Sequence, residues 1–416
     1  MTSVGMTSGW YDPSVQAPPD YMFPREEYQA RLRTLCIALA SDGIDLLWMT
    51  SPEAIAWLHG LTLSWYKANG PMRYPQCYGT AIDVRSGRFI HFDYPTERPL
   101  IEEFSVSTEN RWVPNRDAAP NLDFIMTELK REGWLKGRVA IELWSYLPNP
   151  AISAMFSGAF RANGCDVVDA SAIVRKVRKC KSPMELQYIE RAMEICDIGH
   201  RAVVDLYRPG ISEIDLFGAV TAAMAEKGGE FPALLPIFCC VPVVGERPVA
   251  FGHRAAMRRP IPPGHILVAD LCGVYHRYHA NAMRGFYIGN DPPAKLVERY
   301  RVSGAAYRLL GEQCRAGMTV GEVIAVMRRY YDEVGIWDPQ EGWAIGYELG
   351  LSLPPDWVGD FYFNLGDERG LERVFEPGMV TNFESIFDTA LIDTVIWEPQ
   401  GARVLSRTPR ELMILT

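Results

Sequence analysis

From Asp270 to Arg284 the chain reads Asp-Leu-Cys-Gly-Val-Tyr-His-Arg-Tyr-His-Ala-Asn-Ala-Met-Arg, which brings a carboxylate, an amide, imidazoles and guanidinium groups into one short stretch. On a strand, alternation sends His279 and Asn281 to one face, where both side chains can meet the same ligand. A further imidazole, His253, stands in Phe251-Gly-His-Arg254. With an ordinary pKa near 6.5, such a group gives and takes protons at neutral pH. Trp357, Trp65 and Tyr66 are aromatic candidates for the walls of a pocket.

The 416 residues that must position these groups are too many for one compact core and suit two domains. A hydrophobic fraction of 48% with 22% charged residues belongs to an ordinary globular protein. The net charge of -9 argues against nucleic acid or an anionic membrane surface as partner, since both demand a basic face. A small solute is the expected ligand. The nine cysteines, spread from Cys36 to Cys314 without CxxC spacing, read as buried small hydrophobes in a reducing, cytoplasmic setting. Met1–Met22 has neither an apolar nor a basic segment, so it reads as a loose arm and not as a secretory signal. No apolar run is long enough to span a membrane.

Along the chain, residues 23–175 alternate helix and strand. Helix is expected from Pro24 to Ser41, strand over Ile44–Met49, a short helix at Pro52–Leu58, and strands at Tyr78–Val84 and Arg88–Asp93 around the turn Arg85-Ser-Gly87. Helix Asn121–Glu132 and strand Arg138–Glu142 continue an α/β pattern. A second domain is expected over 176–416. Its first long helix is announced by Ser182-Pro-Met-Glu185, with Ser at the N-cap, Pro at the first helical position and Glu closing a capping box. Helices at Ser212–Lys227, Ala294–Ala316 and Val320–Val334 alternate with strands at Phe238–Val244, Ile266–Leu271 and Ala282–Ile288, and a strand group follows Met379.

These residues resemble the creatinase, aminopeptidase P and prolidase superfamily, the M24 family of pita-bread fold. The resemblance implies an α/β N-terminal domain followed by an α+β pita-bread catalytic domain. Metal-binding members carry two Asp ligands eleven positions apart, the second followed three residues later by a basic residue; here those positions hold Asp270, Asn281 and Arg284. Where the family has Gly-His-Gly this chain has Gly346-Tyr-Glu348, and where it has a ligand Glu before Asp-Thr this chain has Ile392. Asp270 and Glu384 alone remain of the ligand set. A pair of ions about 3.5–4 Å apart needs bridging carboxylates and a His, so no metal and no other cofactor is expected. That places the chain with the metal-independent branch of the superfamily.

Within that branch the similarity is strongest to ectoine hydrolase. Gly228-Gly-Glu-Phe-Pro-Ala233, Gly273-Val-Tyr-His-Arg-Tyr-His279 and Gly346-Tyr-Glu-Leu-Gly-Leu-Ser-Leu-Pro-Pro-Asp-Trp357 each resemble a block of that family. His253 falls where creatinase has its catalytic His, but Met283 stands where creatinase pairs that His with Glu. The base must then be Asp270, Glu384 or Glu348. The resemblance implies that Asp270 and Glu384 face one another on adjacent strands, so that like charge raises one pKa and leaves the other group ionised. Tyr347, in the family's His slot, is placed to donate to an oxyanion. The remaining substrate-binding candidates are His279, Asn281, Glu348, Arg284, Trp357, Trp65 and Tyr66.

The expected function is a metal-independent hydrolase of a C–N bond, other than an ordinary peptide bond, in a small charged compound of ectoine or creatine type. The expected assembly is a homodimer. A lyase or cyclase on the same scaffold, an Xaa-Pro dipeptidase-like protein and a non-catalytic binding protein are the alternatives. A binding module has little reason to keep His253, Asp270 and Glu384 together with Tyr in the His slot.

Overall fold

The computed structural model describes residues 19–62, 75–114, 117–145, 147–340 and 342–416. Most of the N-terminal arm and both Trp65 and Tyr66 lie outside these described residues. The chain divides into two compact units, Met1–Val177 and Arg178–Thr416.

The first unit runs α1 (Arg25–Ser41), β1 (Leu46–Met49), α2 (Pro52–His59), β2 (Gly79–Asp83), β3 (Arg88–Asp93), α3 (Arg98–Phe104), β4 (Asn110–Trp112), α4 (Ala118–Arg131), β5 (Arg138–Ile141), α5 (Pro150–Ala162), β6 (Asp166–Asp169) and α6 (Ser171–Lys179). Its mixed sheet has the order β4-β3-β2-β1-β5-β6. The apolar run of β1 is buried throughout, as a central strand covered on both faces must be. Sequence periodicity passes over α3, α5 and α6. The signal for α5 was present in Asn149-Pro150, where the Asn149 side chain accepts from the amides of Ala151 and Ile152 and Pro takes the first helical position.

The second unit opens with α7 (Pro183–Leu206), whose capping box between Ser182 and Glu185 is formed as the sequence predicts. There follow α8 (Glu213–Ala225), β7 (Ile237–Val244), β8 (Arg247–Pro248), β9 (His265–Tyr275), β10 (Tyr278–Ile288), α9 (Ala294–Gln313), α10 (Val320–Glu333), β11 (Trp343–Tyr347), β12 (Tyr362–Asn364), β13 (Val380–Ile386), β14 (Ile392–Glu398), β15 (Gly401–Val404) and β16 (Met413–Leu415). The sheet order is β12-β11-β13-β14-β10-β9-β7-β8, with β15 on β14 and β16 on β10. Its pairings are antiparallel except that of β10 with β16.

The hairpin of β9 and β10 is longer than the apolar pattern predicts. Its two-residue turn is His276-Arg277, with φ of 47° and 64°. Two consecutive left-handed residues make the primed turn that suits a twisted hairpin, but such turns favour Asn-Gly, and His-Arg gives no sequence signal. The turn is held from outside. His276 stacks on Tyr188 of α7 with ring centroids 4.8 Å apart, and the Arg277 amide donates to Glu230 at 3.2 Å. The hairpin's other face lies so close to α7 that a Cβ on Gly273 would stand 1.8 Å from the Ala192 carbonyl oxygen.

Arg284 corrects one sequence expectation. It is a fully buried strut and not a ligand-facing cation: it donates to the carbonyls of Met283, Ile392, Thr408 and Pro409, to Ser406 and to Asp393. Asp393, also fully buried, is shared with Arg410 at 2.6 Å. Removing one partner of a buried ion pair leaves an uncompensated charge, at a cost of about 3–5 kcal/mol. Arg284→Met is therefore expected to destabilise the fold by roughly that amount in urea denaturation, and Arg284→Lys to recover little, because one ammonium cannot reproduce the planar fork.

Candidate active site

Strand register brings the chemistry together. Asp270 on β9 lies opposite Met283 on β10, and Cys272 lies opposite Asn281, so Asp270, Cys272, Asn281 and His279 share one face of the hairpin. On the neighbouring strands, Glu384 of β13 pairs with Ile392 of β14, and Ile392 pairs in turn with Met283. Asn281 Nδ2 donates to Asp270 Oδ1 at 2.6 Å and to the Leu271 carbonyl at 3.2 Å. Glu384 accepts from Trp343 Nε1 at 3.1 Å on one oxygen and from Asn382 Nδ2 at 3.1 Å on the other. The same Asn382 accepts the Tyr347 amide on its Oδ1 at 2.8 Å, which couples the position of the phenol to that of the carboxylate. Trp357 Nε1 reaches the Tyr347 hydroxyl at 3.5 Å.

The two carboxylates are placed asymmetrically. Burial, reinforced by the Glu384 charge and opposed by the Asn281 bond, pushes Asp270 up to about 7. Glu384 is also raised by burial, but two donors, Trp343 and Asn382, pull it back towards the ionised form. Asp270 is thus a group whose proton comes and goes near neutral pH, whereas Glu384 is the carboxylate that carries two donors. Burial and then the charges of Glu384 and Asp270 hold the Tyr347 phenol well above its usual range, so it stays a neutral donor.

Other expected site residues fall elsewhere. His253 is exposed, in the loop whose Arg254 carbonyl accepts the Phe238 amide on β7. Because Ile237 of β7 pairs with Asp270, that loop borders the strand next to the carboxylate. His279 is buried and has both ring nitrogens engaged by backbone: Nε2 accepts the Ala233 amide at 3.0 Å, and Nδ1 faces the Arg277 carbonyl at 2.9 Å. Burial lowers it to about 3, so it is a neutral linker of loops and has no nitrogen left for a substrate. Glu348 is likewise spent, on a buried pair with Lys181 Nζ at 2.5 Å and on the Phe361 amide. Trp357 is 4% exposed and lies against the Tyr347 hydroxyl. Sequence reasoning missed Asn382, Trp343 and Cys272. Asn382 lies two residues before Glu384 on the same strand face, which was the available signal.

The residues present do not fit the ion pair that the fold family carries. Asn281 is neutral and turns its NH₂ towards Asp270; a phenol fills the imidazole position; and apolar Ile392, 4% exposed, lies against Glu384. Among the described residues, no three His, Cys, Asp or Glu side chains gather in a cluster able to hold a metal. Two carboxylates, an amide and a phenol make a poor cage for two hard cations.

The displaced ionisations predict how stability follows pH. Asp270 keeps its proton in the fold up to about 7, whereas an unfolded Asp loses it near 3.9. Over that interval the folded state binds more protons, so this contribution is full at low pH and is lost as pH rises through about 7. His279 has the opposite sign: its contribution is complete above about 6.5 and is lost as pH falls towards 3. In urea denaturation, Asp270→Asn should therefore flatten the decline in midpoint as pH rises from about 4 to about 7, and His279→Gln should flatten the decline as pH falls from about 6.5 towards 3.

Known proteins agree with this architecture. A family model described as metallopeptidase family M24 matches residues 187–404. The chain is 26% identical over 414 residues to the ectoine hydrolase of Halomonas elongata, covering 94% of this chain and 98% of that protein. It is 27% identical over 247 residues to the Xaa-Pro dipeptidase of Pyrococcus furiosus, covering 58% of this chain and 67% of that one. In structure it is similar to a dipeptidase from Pyrococcus horikoshii OT3, with a TM-score of 0.75 at 20% identity over 92% of this chain and all of that one. An X-Pro aminopeptidase from Thermotoga maritima superimposes with a TM-score of 0.72 at 18% identity over 92% of this chain and 99% of that one. These likenesses are of fold, and they match the α/β unit followed by a pita-bread unit. The chain belongs to metallopeptidase family M24.

Proposed function

We propose that this M24 hydrolase opens a C–N bond of a small charged compound of ectoine or creatine type, without a metal ion. The observation that carries the reading is the donor set: a buried Asp270–Glu384 pair joined by an amide and a phenol where the family's other ligands would stand. Similarity to an ectoine hydrolase over nearly the whole chain supports the substrate class. Further support comes from geometry, because the three blocks that carry this resemblance converge on one knot. Glu230 donates its amide to Val274 and Ser352 donates its own to Arg277, while His279 donates to Gly350.

In this mechanism ionised Asp270 removes a proton from water as the oxygen attacks the carbon. Tyr347 donates to the oxyanion, and His253 gives a proton to the nitrogen as the C–N bond breaks. Glu384 attracts the cationic part of the substrate. The loop bearing His253 must close over the site for this step, since the imidazole is exposed. An Xaa-Pro dipeptidase activity is the second reading, favoured by the dipeptidase relatives. The eroded donor set speaks against it.

A homodimer and a cytoplasmic location complete the proposal. Nine free cysteines suit a reducing compartment. Exposed Phe231 and Leu235, 75% and 61% accessible, offer apolar surface for a second copy. Light scattering should report a dimer at micromolar concentration.

Incubation with ectoine, hydroxyectoine, creatine and Xaa-Pro dipeptides, followed by mass spectrometry, is expected to show addition of water to an ectoine-like or creatine-like compound, unaffected by chelators. Cleavage of Xaa-Pro dipeptides alone, lost on chelation and accompanied by stoichiometric bound metal, would reject the reading. On the substrate found, the rising limb of kcat/KM against pH should centre at about 7, where Asp270 ionises. His253→Ala and Asp270→Asn should each lower turnover by about 10²–10⁴. The double variant should be little worse than either, because groups acting in one step are not additive.

A further inference from the structure

Asn281 is fully buried, yet its Oδ1 is a buried acceptor with no hydrogen-bond partner. The rest of the residue is satisfied. Nδ2 serves Asp270 and the Leu271 carbonyl, and the backbone N–H donates to Thr394 Oγ1 at 2.8 Å while the same hydroxyl donates back to the Asn281 carbonyl at 2.9 Å. The amide is held in this orientation, because turning it over would set Oδ1 against the Leu271 carbonyl, acceptor against acceptor. An orphaned buried acceptor costs about 1–3 kcal/mol. Native folds leave one where water or a ligand completes it.

Its neighbours decide what completes it. Asn281 shares the hairpin face of Asp270, the group whose carboxylate must receive the proton of the attacking water. Asp270 carries the Asn281 bond on Oδ1, and among the described residues no ion pair joins it or Glu384. We infer that Asn281 positions the attacking water, accepting one of its hydrogens on Oδ1 while Asp270 accepts the other. A water that gives both hydrogens to acceptors presents a lone pair in the remaining direction, towards the substrate carbon. The inference rests on the hydrolytic reading above. In the step itself the water's oxygen bonds to carbon, its proton passes to Asp270, and the C–N electron pair leaves on nitrogen with the proton from His253. Asn281 exchanges no atom, so it is a positioning residue.

The role explains why an amide suits this place. A carboxylate here would add a charge beside Asp270 and Glu384, whereas the amide is neutral, donates to Asp270 and still offers one acceptor outward.

The test begins with a high-resolution crystal structure of the substrate-free protein, which needs no knowledge of the substrate. It should hold an ordered water about 2.6–3.2 Å from both Asn281 Oδ1 and the Asp270 carboxylate. An Oδ1 that is dry, bonded to protein, or bound to an ion identified by anomalous scattering would overturn the inference. Asn281→Leu should lose that water and, on the compound found in the substrate screen, lose about a hundredfold or more in kcat with KM changed less than about threefold. A raised KM with unchanged kcat would overturn the assignment, because it would give Oδ1 to a substrate N–H. If the leucine variant fails to fold, the wild-type density still decides. If none of the screened compounds is hydrolysed, the substrate reading fails while the water is still present or absent in the crystal.

Discussion

The site depends on the register of the β9–β10 hairpin. Pairing Asp270 with Met283 and Cys272 with Asn281 puts the carboxylate and the amide on one face; a slip of one residue would send one partner to the opposite side. The turn that fixes this register is unfavourable by itself, since left-handed backbone at two residues other than glycine is strained by about 1–3 kcal/mol each. Bonds from outside the hairpin offset that strain. Arg277 donates to the Phe231 carbonyl at 2.8 Å and pairs with Glu230 at 3.3 Å, while its carbonyl accepts the Ser352 amide and faces the His279 ring. One turn therefore fixes three distant segments against each other.

Elsewhere in the second unit, several buried charges are paired. Lys181 answers Glu348, and Arg284 and Arg410 share Asp393. Arg259 answers Glu213, whose carboxylate also receives backbone amides of Cys240 and Met257. Asp270 and Glu384 are the contrast. Both are buried and close enough for one charge to raise the other, and they are supported only by neutral donors. Placing two carboxylates this way costs folding energy, and it leaves an acid and a base of different strength side by side. Perturbed carboxylates of this kind cluster at functional sites.

The asymmetry between the carboxylates comes from side chains that carry no catalytic signature. Trp343 and Asn382 each give Glu384 a hydrogen bond, and Asn382 also anchors the backbone of Tyr347. Asp270 receives one amide. The two carboxylates thus differ in the number of donors that hold them.

The sequence by itself determined the main elements of both units and the long helix after Ser182, because apolar periodicity and capping chemistry are local properties. It also identified the segment from Asp270 to Arg284 and the replacements at Asn281, Tyr347 and Ile392, but it expected Asp270 and Glu384 on adjacent strands, whereas β10 and β14 lie between β9 and β13. Tertiary structure decided what each polar residue spends itself on. Arg284, His279 and Glu348 read as ligand-facing groups in the sequence, but their charge and hydrogen-bonding atoms are consumed by segments as distant as Pro409, Ala233 and Lys181. His253 keeps the right strand neighbourhood yet stands in solvent, and the supporting roles of Asn382 and Trp343 are visible only once β11 and β13 pair. A residue's type fixes how many hydrogen bonds it can make, and only the folded chain decides who takes them.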